Sequence, residues 1–155
     1  MKLYLIQHAE SKRKEEDPGR PLSDKGCKNI EKMARYASEH LCIEVDRIVH
    51  SGKLRAKQTA EVLAEHLNPD ICRVVDKNLE PLADLTIWKK SLAETSEGIM
   101  LVGHLPHLSK LASELLVGDE NMEVVAFKMG GIVCLERDQQ GRWTIQWMVN
   151  PEIIA

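Results

Sequence analysis

Apolar positions along the chain fall into short continuous runs separated by stretches of helical periodicity. Leu3–Ile6 is a compact apolar run with the signature of a buried strand. Ser23 then stands as an N-cap before a stretch in which Ile30, Met33, Ala34 and Ala37 recur at helical spacing. Asp46–His50 reads as a second strand. Leu54–Leu67 reads as a helix, with Val62, Leu63 and Leu67 on its apolar side and Asn68-Pro69 ending it. A third strand is expected at Cys72–Val75, a helix at Thr86–Leu92 and a fourth strand at Gly98–Val102. A further helix is expected from Leu108 to Val117, stopped by Gly118. The last part changes character: Gly131–Glu136, a turn at Asp138–Gly141 and Trp143–Trp147 form a β-hairpin pattern. Alternating strands and helices followed by a hairpin predict a three-layer α/β/α sandwich. Its central sheet is mostly parallel, with an antiparallel C-terminal edge.

A chain of 155 residues fits one domain, expected to span 1–155, and can bury roughly two-thirds of its unfolded surface without staples. Hydrophobic residues at 43% and charged residues at 29% place it among globular proteins rather than disordered ones. The net charge of -3 excludes a whole-surface basic field for nucleic acid, though not a local basic pocket. No apolar run reaches the roughly 18–20 residues that span a bilayer, and the N-terminal run is too short for a signal peptide. Cys27, Cys42, Cys72 and Cys134 are scattered without a C-x-x-C pair, which suits reduced, mostly structural thiols. These features together point to a cytoplasmic protein, expected to be a monomer with no membrane or nucleic-acid partner. Lys12–Pro21 is charged, lacks apolar residues and carries Pro18-Gly19, so an exposed loop is expected there.

Ligands of open α/β sheets bind at the carboxyl ends of strands, so the polar residues there are the candidates. The first strand delivers Gln7-His8, the second His50-Ser51-Gly52 with Arg55 in the next helix, and the fourth Gly103-His104 and His107. A single histidine after a strand is more often a hydrogen-bonded structural residue than a catalyst. Arg55, however, sits against the positive end of a helix dipole, a conflict that a bound anion would relieve. No carboxylate or cysteine stands at a spacing that would complete a zinc site with His8, His50 and His104, and no metal or cofactor is expected.

Four segments carry a family resemblance. Leu3–Glu10 is similar to a strand ending in Arg-His-Gly or Arg-His-Ala, and Arg20–Gly26 to R-P-L-[ST]-x-x-G. Ser51–Ala60 is similar to S-x-x-x-R-A-x-Q-T, and Val102–Pro106 to V-[GS]-H-x-P. In that order they resemble the histidine phosphatase superfamily, with its phosphoglycerate-mutase-like fold, and within it the small SixA-type phosphohistidine phosphatases. The resemblance implies that His8 is the nucleophile, that Arg55 and a protonated His104 hold the phosphoryl group, and that no metal takes part. It further implies a phosphohistidine substrate on a protein such as a histidine phosphotransfer domain. His50 and His107 are given structural roles.

The departure from the pattern is Gln7, where the family has a phosphate-binding arginine. Glutamine keeps a donor for the phosphate and loses the charge and the fork, a loss on the order of 10²–10³ in rate for comparable donors. Arg20, Lys12 or Arg13 is the expected source of a replacement charge. Glu80, or secondarily Asp84, is the candidate general acid. Two other readings follow from the same residues: a non-catalytic phosphate- or phosphoprotein-binding module, and a phosphomonoesterase of small molecules.

Overall fold

The computed structural model describes all residues, Met1–Ala155. The strands are β1 (Lys2–Gln7), β2 (Arg47–His50), β3 (Cys72–Val75), β4 (Ile99–Gly103), β5 (Ile132–Arg137) and β6 (Trp143–Val149). The helices are α1 (Asp24–His40), α2 (Leu54–Leu67), α3 (Leu85–Glu94) and α4 (His107–Val117), with one 3₁₀ turn at Lys77–Leu79. They build one six-stranded sheet in the order β3-β2-β4-β1-β5-β6. The first four strands run parallel, and β5 and β6 are antiparallel to their neighbours. This is the expected mostly parallel sheet with an antiparallel edge.

Alternation along the strands divides the core in two. Tyr4, Ile6, Ile48, Met100 and Val102 face one side, where they pack with Ile30, Met33 and Ala37 of α1 and Ala60 and Leu63 of α2. Leu3, Leu5, Val49, Ile99 and Leu101 face the other side, with Leu85, Trp88 and Leu92 of α3 and Leu108 and Leu111 of α4. The sandwich therefore has three layers. Complete burial of a side chain such as Leu63 or Ile30 contributes about 2 kcal/mol, so the two apolar layers hold the sheet edge rigid.

Helix ends follow local chemistry. Ser23 caps α1 by accepting from the Gly26 N–H at 3.0 Å, and Asp84 caps α3 by accepting from Thr86. Gly118 ends α4 in the left-handed region at φ 73°. The Lys12–Pro21 segment is an exposed loop as expected, but a closed one. Lys12 N–H donates to Pro21 O at 2.8 Å, Ser11 bridges Leu22, and Arg20 N–H donates to Asp17 O at 2.9 Å. Three of the four cysteines, Cys27, Cys42 and Cys72, are exposed and only Cys134 is buried, so the mostly structural role expected of the thiols does not hold. No helix is long and apolar enough to cross a membrane.

Candidate active site

β2, β4 and β1 are adjacent and parallel, so their carboxyl ends deliver His50-Ser51, Gly103-His104 and Gln7-His8 to one edge. The ladder continues one residue beyond β1: His8 N–H donates to Gly103 O at 3.0 Å. That bond brings His8 against His104, with ring centroids 5.0 Å apart and planes tilted by 51°. Both are buried, His8 at 8% exposure and His104 at 2%.

The His8 ring is oriented by its own backbone. Nδ1–H donates to Ala9 O at 2.7 Å, which leaves Nε2 as the unprotonated nitrogen. Burial pushes the His8 pKa down to about 4, and the charges of Arg55 and Arg20 push the same way against the Ala9 hydrogen bond. His8 is therefore a neutral imidazole with a free lone pair at pH 7.

The next residue ties the nucleophile segment to α2. Ala9 N–H donates to Thr59 Oγ1 at 3.0 Å, and the Thr59 hydroxyl donates to Arg55 O at 2.8 Å. One helical turn thus connects the backbone beside His8 to the backbone carrying Arg55. Gln58 Oε1 accepts from Leu22 N–H at 2.8 Å and holds the end of the Lys12–Pro21 loop. The Gln-Thr pair of the R-A-x-Q-T segment is in this way a brace between two loops. Gly26 has a comparable reason: a Cβ there would stand 2.0 Å from the Glu10 carbonyl oxygen, at the place where α1 docks on the chain after His8.

His104 is held by Ser51, a contact that reading the sequence for charged residues passes over. Ser51 Oγ lies 2.6 Å from His104 Nε2 and accepts from Lys53 N–H at 3.4 Å. The other ring nitrogen, Nδ1, is buried with no partner in the protein. Burial, with His8, Arg55, Lys53 and His107 around it, pushes the His104 pKa down to about 3. The expected imidazolium is therefore corrected to a neutral ring.

Arg55 is the second residue of α2, whose first turn holds no acidic residue and whose Lys53 N-cap makes no side-chain capping bond. The buried Arg55 Nε has no partner, and burial and Arg20 both lower the Arg55 pKa. Arg20 is a non-glycine residue in the left-handed region at φ 48°. Its Nε donates to Lys12 O at 3.2 Å and its Nη2 to Ser11 Oγ at 3.0 Å, which fix the guanidinium beside the site. Of the other cations considered, Arg13 is paired with Glu16 at 2.9 Å on the exposed side of the loop.

Gln7, the last residue of β1, shares the Leu3–Leu5 side of the strand and lines a groove of about 350 Å³ with Glu10, Lys25, Leu105, Phe127 and Met129. Glu80 and Asp84 line a cavity of about 480 Å³ together with Arg55 and Lys53. Asp84 is engaged as the α3 cap, accepting from both the N–H and the hydroxyl of Thr86, and these bonds hold its carboxyl below the usual range. An acid already ionised and bound to a helix end is poorly suited to give up a proton. Glu80 makes no such bond.

His50 Nδ1 accepts from Gly52 N–H at 3.1 Å and shapes the turn into α2. His107 is buried in the first turn of α4, both ring nitrogens without partners. No cluster of three His, Cys, Asp or Glu side chains is arranged to share a metal ion.

The site geometry and the fold can be set beside known proteins. The family description of the histidine phosphatase superfamily (branch 1) matches residues 3–81. Phosphohistidine phosphatase SixA of Escherichia coli K12 is 28% identical over 156 aligned residues, which cover 97% of this chain and 94% of that protein. The structure of the protein histidine phosphatase SixA complexed with tungstate superposes with a TM-score of 0.83 at 25% identity, covering 97% of each chain. The α-ribazole phosphatase of Shigella flexneri shares the fold with a TM-score of 0.74 at 15% identity, again over 97% of each chain.

Proposed function

The chain belongs to the histidine phosphatase superfamily and is a phosphatase of that kind, and from this premise we propose that it works through a phosphoryl group carried on His8 and acts on phosphohistidine in a phosphotransfer protein. The observation that carries the reading is the state of His8: Nδ1–H is committed to Ala9 O at 2.7 Å, and the ring is neutral well below pH 7.

The chemistry follows from that arrangement. The His8 Nε2 lone pair attacks phosphorus in line, and the bond from phosphorus to the leaving nitrogen or oxygen breaks with its electron pair. Because Nδ1 keeps its hydrogen, phospho-His8 is a protonated ring, the form whose P–N bond breaks readily. Water then attacks phosphorus, the P–N electrons return to Nε2, and inorganic phosphate leaves with the neutral imidazole restored. Arg55 and Arg20 meet the charge on the equatorial oxygens, and the His104 ring lies against His8 on the same edge. Arg20 is the cation that offsets Gln7; its fixed side chain and its influence on both His8 and Arg55 support this role over Lys12 or Arg13.

A phosphohistidine substrate suits the acid inventory. With Asp84 engaged as a cap, only Glu80 remains to protonate a leaving group. A protonated phosphohistidine releases neutral imidazole and needs no acid, whereas an alkoxide does. The coverage of SixA along 94% of its length supports the same choice.

The test is dephosphorylation of a phosphohistidine-bearing phosphotransfer domain by the native chain, His8→Ala and Gln7→Arg. Native turnover with an acid-labile phosphoryl group on the protein, both lost in His8→Ala, is the expected result. An inert native chain with an active Gln7→Arg variant would instead make this protein a phosphate-binding module on a phosphatase fold.

A further inference from the structure

The protein has more carboxylates than basic side chains, 24 against 21, and a third of those basic side chains lie in ion pairs. Arg13, Lys25, Arg35, Arg47, Lys57, Lys89 and Arg142 each lie within 4 Å of a carboxylate. One cavity gathers four of the cations that are not paired in this way. Between the Lys12–Pro21 loop and the start of α2, a space of about 370 Å³ is lined by Lys14, Arg20, Lys53 and Arg55 with no carboxylate among its walls. None of these four cations forms an ion pair.

Charge counting shows that a phosphoryl group alone does not account for this cavity. A phosphoryl group brings a charge of about −2 at pH 7, against four cations held together by the fold. Arg20 and Arg55 are the pair beside His8, while Lys14 and Lys53 extend the cationic wall outward from it. The rim is also apolar in part. Leu54 lines the same cavity at 40% exposure, and Leu82 stands at 89% exposure in the adjoining space that shares Lys53 and Arg55. Cations beside exposed leucines suit an acidic protein surface better than a free small phosphate.

We propose that Lys14 and Lys53, in the cavity they share with Arg20 and Arg55, form a second anion subsite that receives an aspartate or glutamate side chain of the protein presenting the phosphohistidine. The proposal rests on the phosphohistidine reading for its substrate, and it adds a requirement on the sequence or surface around the target histidine. Lys14 is an exposed wall of the cavity without a hydrogen bond, so replacing it leaves the fold and the His8 site untouched.

The experiment titrates the native chain, Lys14→Ala and Lys14→Glu by calorimetry with two synthetic peptides. Both carry a phosphonate mimic of phosphohistidine; one has glutamates flanking it and the other glutamines. The same proteins are assayed for turnover of phosphoimidazole, which has no flanking acid. Lys14→Glu is expected to weaken the glutamate peptide by roughly threefold to tenfold and to shift the glutamine peptide and phosphoimidazole turnover by less than about twofold. Equal affinity of the native chain for the two peptides, or equal weakening of both by Lys14→Glu, would overturn the subsite. Failure of the phosphatase reading shows separately, as absent phosphoimidazole turnover by the native chain, and the peptide comparison still decides the subsite.

Discussion

Replacing Thr59 by valine changes one hydroxyl into a methyl at a position with no solvent exposure. The shape is kept, and two bonds are lost: the one from Ala9 N–H and the one to Arg55 O. Arg55 O lies within α2, but Ala9 is fully buried and its N–H has no other acceptor. Stranding a buried N–H costs about 1–3 kcal/mol, and about 2 kcal/mol is expected here. For a chain of this length that lowers Tm by about 4–8 °C. The control is Thr59→Ser, which keeps the hydroxyl and loses one methyl, at a cost of about 1 kcal/mol. Thermal melts of the three proteins measure the stability difference. Turnover of phosphoimidazole measures the effect on His8, because Ala9 O is the acceptor that sets the ring. The valine variant should lose both stability and turnover number, and the serine variant should keep its turnover. A valine variant as stable as the native chain, or valine and serine variants equal in both assays, would refute the bracing role.

Three further outcomes are expected. The His8 pKa near 4 means that the acid limb of single-turnover phosphorylation lies near pH 4 rather than near 6.5; a limb at 6.5 would show the ring is not desolvated as described. His8, His50, His104 and His107 are all lowered in the folded state, so the unfolded chain takes up more protons as pH falls below about 6.5, and urea melts should show stability decreasing from pH 7 toward pH 5. Asp84→Ala should lower Tm through the lost α3 cap and leave phosphate monoester hydrolysis unchanged; collapse of hydrolysis in a folded variant would make Asp84 the acid after all.

Elements with a clear hydrophobic period are legible in the amino-acid sequence. The run Leu3–Ile6 and the α2 pattern fall within β1 and α2, and the terminal hairpin matches β5 and β6 with its first strand one residue early, at Gly131. The far end of α1 is not legible, because Glu39 and His40 are exposed and carry no apolar signal, and the Lys77–Leu79 turn is too short to show a period. At the site, the convergence of His8, Arg55 and His104 can be read from strand ends and motifs. The placement of Gln7 is also readable in principle, since period-two alternation puts it with Leu3 and Leu5 rather than with Ile6. The neutrality of His104 is not, because it depends on burial and on charges brought from three distant segments. Ser51 and Thr59 lie inside the S-x-x-x-R-A-x-Q-T segment, but only their partners across the fold explain them.

The bond from His8 N–H to Gly103 O carries the ladder of the sheet's interior strand one residue into the catalytic edge. β1 has β4 on one side and β5 on the other, with a helical layer over each face. The amide of His8 is therefore expected to exchange its hydrogen with solvent more slowly than the amides of the Lys12–Pro21 loop, which is held by a few turn bonds. The two sides of the site thus belong to different cooperative units. The group that reacts is anchored in the sheet, and Arg20, tied to its own loop through Lys12 O and Ser11 Oγ, keeps its place only as that loop does.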